Sequence, residues 1–331
     1  VKAMAPFVHV ANTTRIKVTD SHKVALGTTE FSLENFFNGG VSVATVGSTN
    51  LQNQLTRAKI ANSRSQMGLA DLDVALGYKF LYRDTKHCFA SIDLTIPTGN
   101  RSQGEWLFES IYGNNHHVGL GASLDTGIQI WKSGKSSADV FWTARYKYLF
   151  QGTETRTLGV KDVKLGHYYM AGVPGQAANK PLFPAANVLT QGLQVKPGSV
   201  FDSMIDFSFN SCKFTVDIGY SLFWKDKESI RVKKFENGKL ALAAAAFNTI
   251  GAFETSVAAN VFKVVNLVDL DIDAAKTPSL LSHKLSAGMG YTATMYKKYL
   301  ASVGLGASYE FGTTNADVEN YALWAKAAFS F

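Results

Sequence analysis

Ala70-Asp71-Leu72-Asp73-Val74-Ala75-Leu76-Gly77-Tyr78-Lys79-Phe80-Leu81-Tyr82 alternates with period two. Ala70, Leu72, Val74, Leu76, Tyr78, Phe80 and Tyr82 lie on one side of an extended chain, and Asp71, Asp73, Ala75, Gly77, Lys79 and Leu81 on the other. Successive strand side chains point to opposite faces, so this reads as a strand apolar on one face and polar or very small on the other. The alternation recurs over 88–96, 118–130, 140–150, 205–209, 214–224, 285–295, 303–311 and 321–331, more weakly over 24–32 and 41–46, and as a blurred pair over 240–262. The longest runs exceed the roughly five to six residues of a typical globular strand.

Composition narrows the class. Charged residues make up 18% of the chain, below the roughly 25% of an average soluble domain, and aromatics 12%. A disordered chain needs few aromatics and a high net charge, which this one lacks. Two cysteines, Cys88 and Cys212, provide neither a disulfide framework nor a metal cluster. The longest uncharged apolar-leaning stretch, 240–253, is bounded by Lys239 and Glu254 and falls short of the roughly 20 residues a spanning helix needs. A chain that opens Val1-Lys2-Ala3-Met4 is expected to be the mature product of signal-peptide cleavage.

The connections alternate in length. Short turns fall at 83–85, 133–136, 210–211 and 297–298. Long polar loops fall at 47–67, 99–116, 152–198, 225–239 and 263–281, with a shorter one at 312–317. Strands joined this way run up and down as antiparallel neighbours. Long strands, a polar face rich in Gly, Ser, Asp and Lys, and aromatic clusters at strand ends (Tyr78, Phe80 and Tyr82; Tyr146, Tyr148 and Phe150; Tyr220, Phe223 and Trp224) favour a membrane-spanning sheet over a soluble sandwich. In hydrocarbon every backbone N–H and C=O must be paired, so such a sheet must close on itself. The expected fold is all-β: one transmembrane antiparallel up-and-down β-barrel over 1–331, with 12–14 strands, long extracellular loops and short periplasmic turns. Residues 1–37 are expected to supply extra strands or a luminal or periplasmic segment. The 152–198 loop, about 47 residues and too long to be idle, would cap the barrel or contact a neighbour.

The last strand, Tyr321-Ala322-Leu323-Trp324-Ala325-Lys326-Ala327-Ala328-Phe329-Ser330-Phe331, resembles the targeting signal of bacterial outer-membrane β-barrel proteins of the porin-like class. Ala325 and Ala327 are smaller than the pattern usually carries. The segment 71–100, ending Ile96-Pro97-Thr98-Gly99-Asn100, is similar to hairpins of porin-like and hydrocarbon-channel barrels. The resemblance covers nearly the whole chain and implies a class, not a substrate. It implies integral residence in the cell outer membrane, and recognition by the barrel assembly machinery through Tyr321, Leu323, Phe329 and Phe331.

The inward set carries Lys79, Arg145, Lys147, Lys213, Lys284 and Lys326 against Asp71, Asp73, Asp93, Asp125, Asp139, Asp206, Asp217 and Glu310, a nearly balanced lumen. Lys79, Asp93, Asp125, Asp139, Arg145, Lys147, Lys213, Asp217 and Glu310 are the pore-lining or constriction candidates, since opposed charges across a bore give a transverse field. The formal charge of +7 then falls largely on the connections. Arg57, Lys59 and Arg64 in one loop, and Arg231, Lys233 and Lys234 in another, are candidates for contact with lipopolysaccharide phosphates, or else form a solvated rim. Nucleic-acid binding is not expected, because the basic residues lack interleaved stacking aromatics on one face. The seven histidines are scattered, and His116-His117 beside a strand reads as hydrogen-bonded interface rather than catalytic machinery. No enzyme, metal or cofactor is expected. The expected function is a porin-like channel for passive diffusion of small polar solutes or ions, with a homotrimer suiting such a role. The alternatives are a hydrophobic-compound channel plugged by residues 1–37, and a closed structural or adhesive surface barrel.

Overall fold

The alternating segments become the strands of one large antiparallel sheet. A computed structural model describes residues 1–14, 25–26, 29–30, 33–40, 53–174, 182–243, 262–295, 299–313 and 319–330. The expected strand at 41–46, the turn at 297–298 and Phe331 lie outside the described residues. Strands take up 64% and helices 5% of what is described, so the chain is all-β. No described helix is long and apolar enough to cross a membrane.

The main sheet has ten strands, in the order Lys2–Met4, Leu72–Arg83, Lys86–Ile96, Gly119–Ser133, Ser136–Leu149, Gly198–Ser211, Phe214–Lys225, Leu280–Met295, Tyr299–Gly312 and Asn320–Ser330. From Leu72 onward, sequence neighbours are also sheet neighbours, each pair antiparallel. This differs from the expected 12–14 strands in two places. Residues 2–13 form one N-terminal strand in two pieces: Lys2–Met4 pairs with 73–75, and Phe7–Thr13 pairs with Ser63–Leu69. Of the blurred pair at 240–262, residues 244–261 lie outside the described residues, and the described ends do not join the main sheet. Leu240–Ala243 and Phe262–Val265 pair with each other inside a separate four-stranded sheet that includes Met170–Gly172 and Phe183–Pro184. The reason is burial: Leu240, Leu242 and Val265 are sealed in a compact core, whereas the alternates of the long strands are not.

The short turns, at 84–85, 134–135 and 212–213, lie at one end of the sheet together with the C-terminus of the last strand; the first strand runs away from that end, with Lys2 opposite Ala75. The long connections gather at the other end and fold there. Gly152–Thr157, Thr190–Lys196 and Ser229–Val232 make a three-stranded sheet. Its core contains Leu158, Val160, Leu189, Leu193, Val195, Leu242, Val265 and Leu270. A second cluster joins Phe36 of the short helix Leu33–Phe37 to Leu55, Ala58 and Ala186. The 152–198 connection is therefore the backbone of a cap held by loops from across the chain. Tyr168 donates to the Ala58 carbonyl at 2.7 Å, and Asn187 Oδ1 accepts from the Thr56 N–H at 2.8 Å.

Burying a leucine or valine side chain contributes about 1.5–3 kcal/mol, so the fully buried cap leucines carry much of that unit's stability. We expect Leu193→Ala to weaken the cap by about 2–5 kcal/mol. Limited proteolysis checks this: new cleavage should be confined to the connections while the long strands stay protected.

Candidate functional site

Directly opposed residues in an antiparallel pair project to the same face, so the register sorts the long sheet into two faces. One carries Leu76, Ile92, Ile218, Met289, Leu305 and Leu323, all exposed. The other is polar and falls into rows. One row runs Asp125, Thr143, Met204, Ser221, Lys284 and Glu310; the next runs Ser123, Arg145, Asp202, Phe223 and Ser282. Nearer the short turns, a third runs Gln129, Asp139, Ser208, Asp217, Gly288, Gly306 and Trp324.

Most sequence-selected polar residues fall on this face. Asp93 accepts from Ser91 Oγ at 2.7 Å. Asp125 is bonded to His87 Nε2 at 3.1 Å and accepts from Thr143 at 3.3 Å. Asp139 accepts from Ser137, Gln129 and Asn210 at 3.0, 3.3 and 3.4 Å. Glu310 takes Lys284 at 2.7 Å and Ser282 at 2.9 Å. Arg145 and Asp217 make no side-chain hydrogen bond or ion pair among the described residues. One candidate sits elsewhere, and one gains an unexpected neighbour. Lys213 lies in a turn, its ammonium 6.0 Å from the centre of the Tyr291 ring. Lys79 stays on the polar face, in register with Phe89 and Asp125. A bulge between Lys79 and Leu81 turns Tyr82 to that face too, its ring 4.4 Å from the Lys79 ammonium, where strict alternation had put Tyr82 with the apolar residues. Asp71 leaves the rows entirely. It is buried and accepts the Gly99 and Asn114 N–H groups at 3.0 and 2.5 Å, pinning the 97–118 connection.

Lys147 reaches Asp73 at 3.0 Å, although two strands lie between their own. Three strand spacings would hold those backbones about 14 Å apart in a flat sheet. The contact requires the sheet to curl with its polar face concave. In that hollow, Arg145, Asp202, Met204, Phe223, Lys284 and Glu310 line a groove of about 450 Å³.

The basic loop residues divide. Arg57 donates to the Gln103 carbonyl at 2.8 Å, Lys59 pairs with Glu105 at 2.7 Å, and Lys59 and Arg64 lie 4.2 and 4.3 Å from the centre of the Trp106 ring. These three hold the 53–66 and 97–118 connections together. Arg231, Lys233 and Lys234 are solvent-exposed. On the last strand Tyr321, Leu323 and Phe329 are exposed on the apolar face.

Sequence reasoning missed a charged network that joins the sheet to the cap. His117, with 1% of its side chain accessible, meets the Phe150 carbonyl through Nδ1 and Glu154 Oε1 through Nε2, both at 2.7 Å. Arg156 bonds Glu154 at 2.8 Å, Glu228 at 2.7 Å and the Ala275 carbonyl at 2.7 Å. Glu228 also accepts the Thr277 N–H at 3.0 Å. Both nitrogens of His117 face acceptors, so both carry protons and the ring is a cation. Burial pushes its pKa down, but the Glu154 and Phe150 hydrogen bonds and the Glu154 charge outweigh that, and it stands above the ordinary histidine value. Burial pushes Glu228 up, but Arg156 and the Thr277 N–H bring it down to about 2. The scattered histidines gave no local sign of this; only the fold brings 117, 154, 156 and 228 together.

No protein-family model matches the chain, and no curated protein matches it.

A raised folded-state pKa stabilises below the unfolded value, about 6.5 for histidine, and that contribution is lost as pH rises through the folded value. The cap should therefore loosen on the alkaline side. We expect His117→Gln to flatten that dependence and to cost the cap about 3–5 kcal/mol at neutral pH, because Glu154 loses a buried charged partner. Hydrogen exchange of the cap amides across a pH series measures both effects.

Proposed function

We propose that the chain is an integral outer-membrane β-barrel, closed by antiparallel pairing of the N-terminal strand at 2–13 with Asn320–Ser330, and that it passes small polar solutes or ions by passive diffusion. One observation carries this reading: the long sheet is inverted in polarity relative to a water-soluble fold. Leu305 and Leu323 are 64% and 82% exposed on one face, while charged residues and glycines occupy the concave other face. Water inside and acyl chains outside would satisfy both faces. The chain path supports closure, since the first and last strands run in opposite directions, as the neighbours that close an even-stranded barrel must. The cap would sit at the extracellular mouth. Arg231, Lys233 and Lys234 would face lipopolysaccharide phosphates, and the exposed Tyr321, Leu323 and Phe329 would serve assembly. Residues 2–13 pair along the sheet, which speaks against a luminal plug made from them. The folded cap favours a second reading, a closed surface barrel whose cap makes external contacts.

Reconstitution into planar bilayers decides between the two: ohmic conductance steps are expected for the channel, and silence would support the closed barrel. We expect Leu305→Arg to destabilise the protein by about 2–4 kcal/mol in bilayers, as at a lipid-facing midplane position. A neutral result in a urea titration would remove lipid from that face. Cysteine pairs scanned along 2–13 and Asn320–Ser330, with Cys88 and Cys212 replaced by serine, should cross-link within one chain. Cross-links between chains alone would argue against closure.

A further inference from the structure

Among the charges of the polar groove, Lys284 and Glu310 neutralise each other at 2.7 Å. Arg145 and Asp202 do not. They are direct cross-strand partners, both exposed, and neither side chain makes a hydrogen bond or ion pair among the described residues. Phe223 is the next member of the same row, opposite Asp202, and Met204 stands one row below. With neighbouring strands about 4.8 Å apart, the Arg145 and Phe223 backbones are separated by roughly 10 Å. A free cation, a free anion and an apolar interruption of a polar face thus share one hollow of about 450 Å³.

We infer that this groove binds zwitterionic solutes bearing an apolar side chain, namely free amino acids and short peptides. The solute carboxylate would lie against the Arg145 guanidinium, its ammonium against Asp202, and its side chain against Phe223 and Met204. Access through the bore rests on the channel reading; the groove itself does not. A simple anion would meet Asp202 and a simple cation Arg145, each a like-charge contact. A neutral sugar would displace water from two charges without replacing it by an opposite charge. Only a molecule carrying both charges satisfies both groups, through charge-assisted hydrogen bonds.

The test uses the full chain and three probes sharing one ring: L-phenylalanine, 3-phenylpropanoate and 2-phenylethylamine. Equilibrium dialysis of the detergent-solubilised protein measures binding, and occlusion of the ion current in bilayers measures the effect in the bore. L-phenylalanine should act at about tenfold lower concentration than either single-charge probe, the worth of one charge-assisted hydrogen bond. In Arg145→Gln and Asp202→Asn that ratio should fall toward one. Heat-modifiable migration on a denaturing gel verifies folding, and a variant that fails it is replaced by Arg145→Met or Asp202→Ser, which also remove the charge. Conductance with equal potency of the three probes would overturn the groove inference and leave the channel standing. Selective binding in dialysis without conductance would sustain the groove and overturn the channel.

Discussion

Among the described residues, the apolar side chains at every second position of the long strands have no protein layer to rest on. Val216, Met289 and Leu305 lie side by side in one row across three strands, all exposed, and Ile218 and Leu323 lie in the row beside it. A soluble monomer rarely shows a contiguous apolar patch beyond a few hundred Å². Removing each large aliphatic or aromatic side chain from water is worth about 1.5–3 kcal/mol, so a wall of them cannot face water at equilibrium. Lipid and a partner surface are the two physical solutions. The curl of the sheet distinguishes them, because a convex apolar face all along the strands fits a fluid solvent better than a single flat partner.

The same chain also builds a unit by the ordinary rules of water-soluble proteins. Leu158, Leu189, Leu193, Leu242 and Leu270 are sealed from solvent, and charged residues such as Lys234 and Lys239 lie at its surface. The fold is thus divided by solvent rather than by sequence. The described residues of 150–197 and 226–279 leave the long sheet and pack among themselves. The His117, Glu154, Arg156 and Glu228 network sits where the two packing regimes meet. A buried ionic network contributes little net stability compared with apolar packing but fixes geometry closely, because every wrong arrangement leaves a charge unpaired. That suits a joint between two units that share no continuous hydrophobic core.

How legible each part was follows from the range of the interactions. Period two is a local property, so the strands around 70–82, 118–130, 140–150 and 303–311 could be read directly, and with them the two faces up to the bulges after Lys79 and Gln129. Asp125, Arg145, Lys147 and Glu310 fell on the polar side for that reason. The cap could not be read, because Met170–Gly172 pairs with Leu240–Ala243, some 70 positions away, and each strand is too short to show a pattern. Leu240 and Leu242 alternate as a barrel strand would, and only the core they enter shows otherwise. Side-chain reach was equally invisible. Lys213 occupied luminal parity by counting yet lies in a turn, and the bulge between Lys79 and Leu81 that brings the Tyr82 ring to the Lys79 ammonium leaves no mark in the alternation. Arg57, Lys59 and Arg64 looked like a free basic patch until Glu105 and Trp106 arrived from 46 or so residues away.

Strand count bears on the bore through the same bookkeeping of backbone groups. An open sheet leaves a row of unpaired N–H and C=O groups at each edge, an aggregation hazard in water and a cost of several kcal/mol per group in hydrocarbon. Here one edge is the N-terminal strand and the other is Asn320–Ser330, of opposite direction and on the same chain. Pairing them removes both liabilities at once, whereas pairing either with a second copy removes one and leaves the other. A barrel of ten strands is only slightly wider than the eight-stranded kind whose interior is filled by side chains. Its openness therefore depends on small residues on the inner face. Gly288 and Gly306 are cross-strand partners there, as are Gly290 and Gly304, and the Trp324 indole lies over Gly306 where a larger residue would stop it. In the proposed barrel these glycines would leave room on the inner face nearer the short turns, away from the row of Arg145, Asp202, Phe223 and Ser282, so that backbone would set the free cross-section at one level and charge at another.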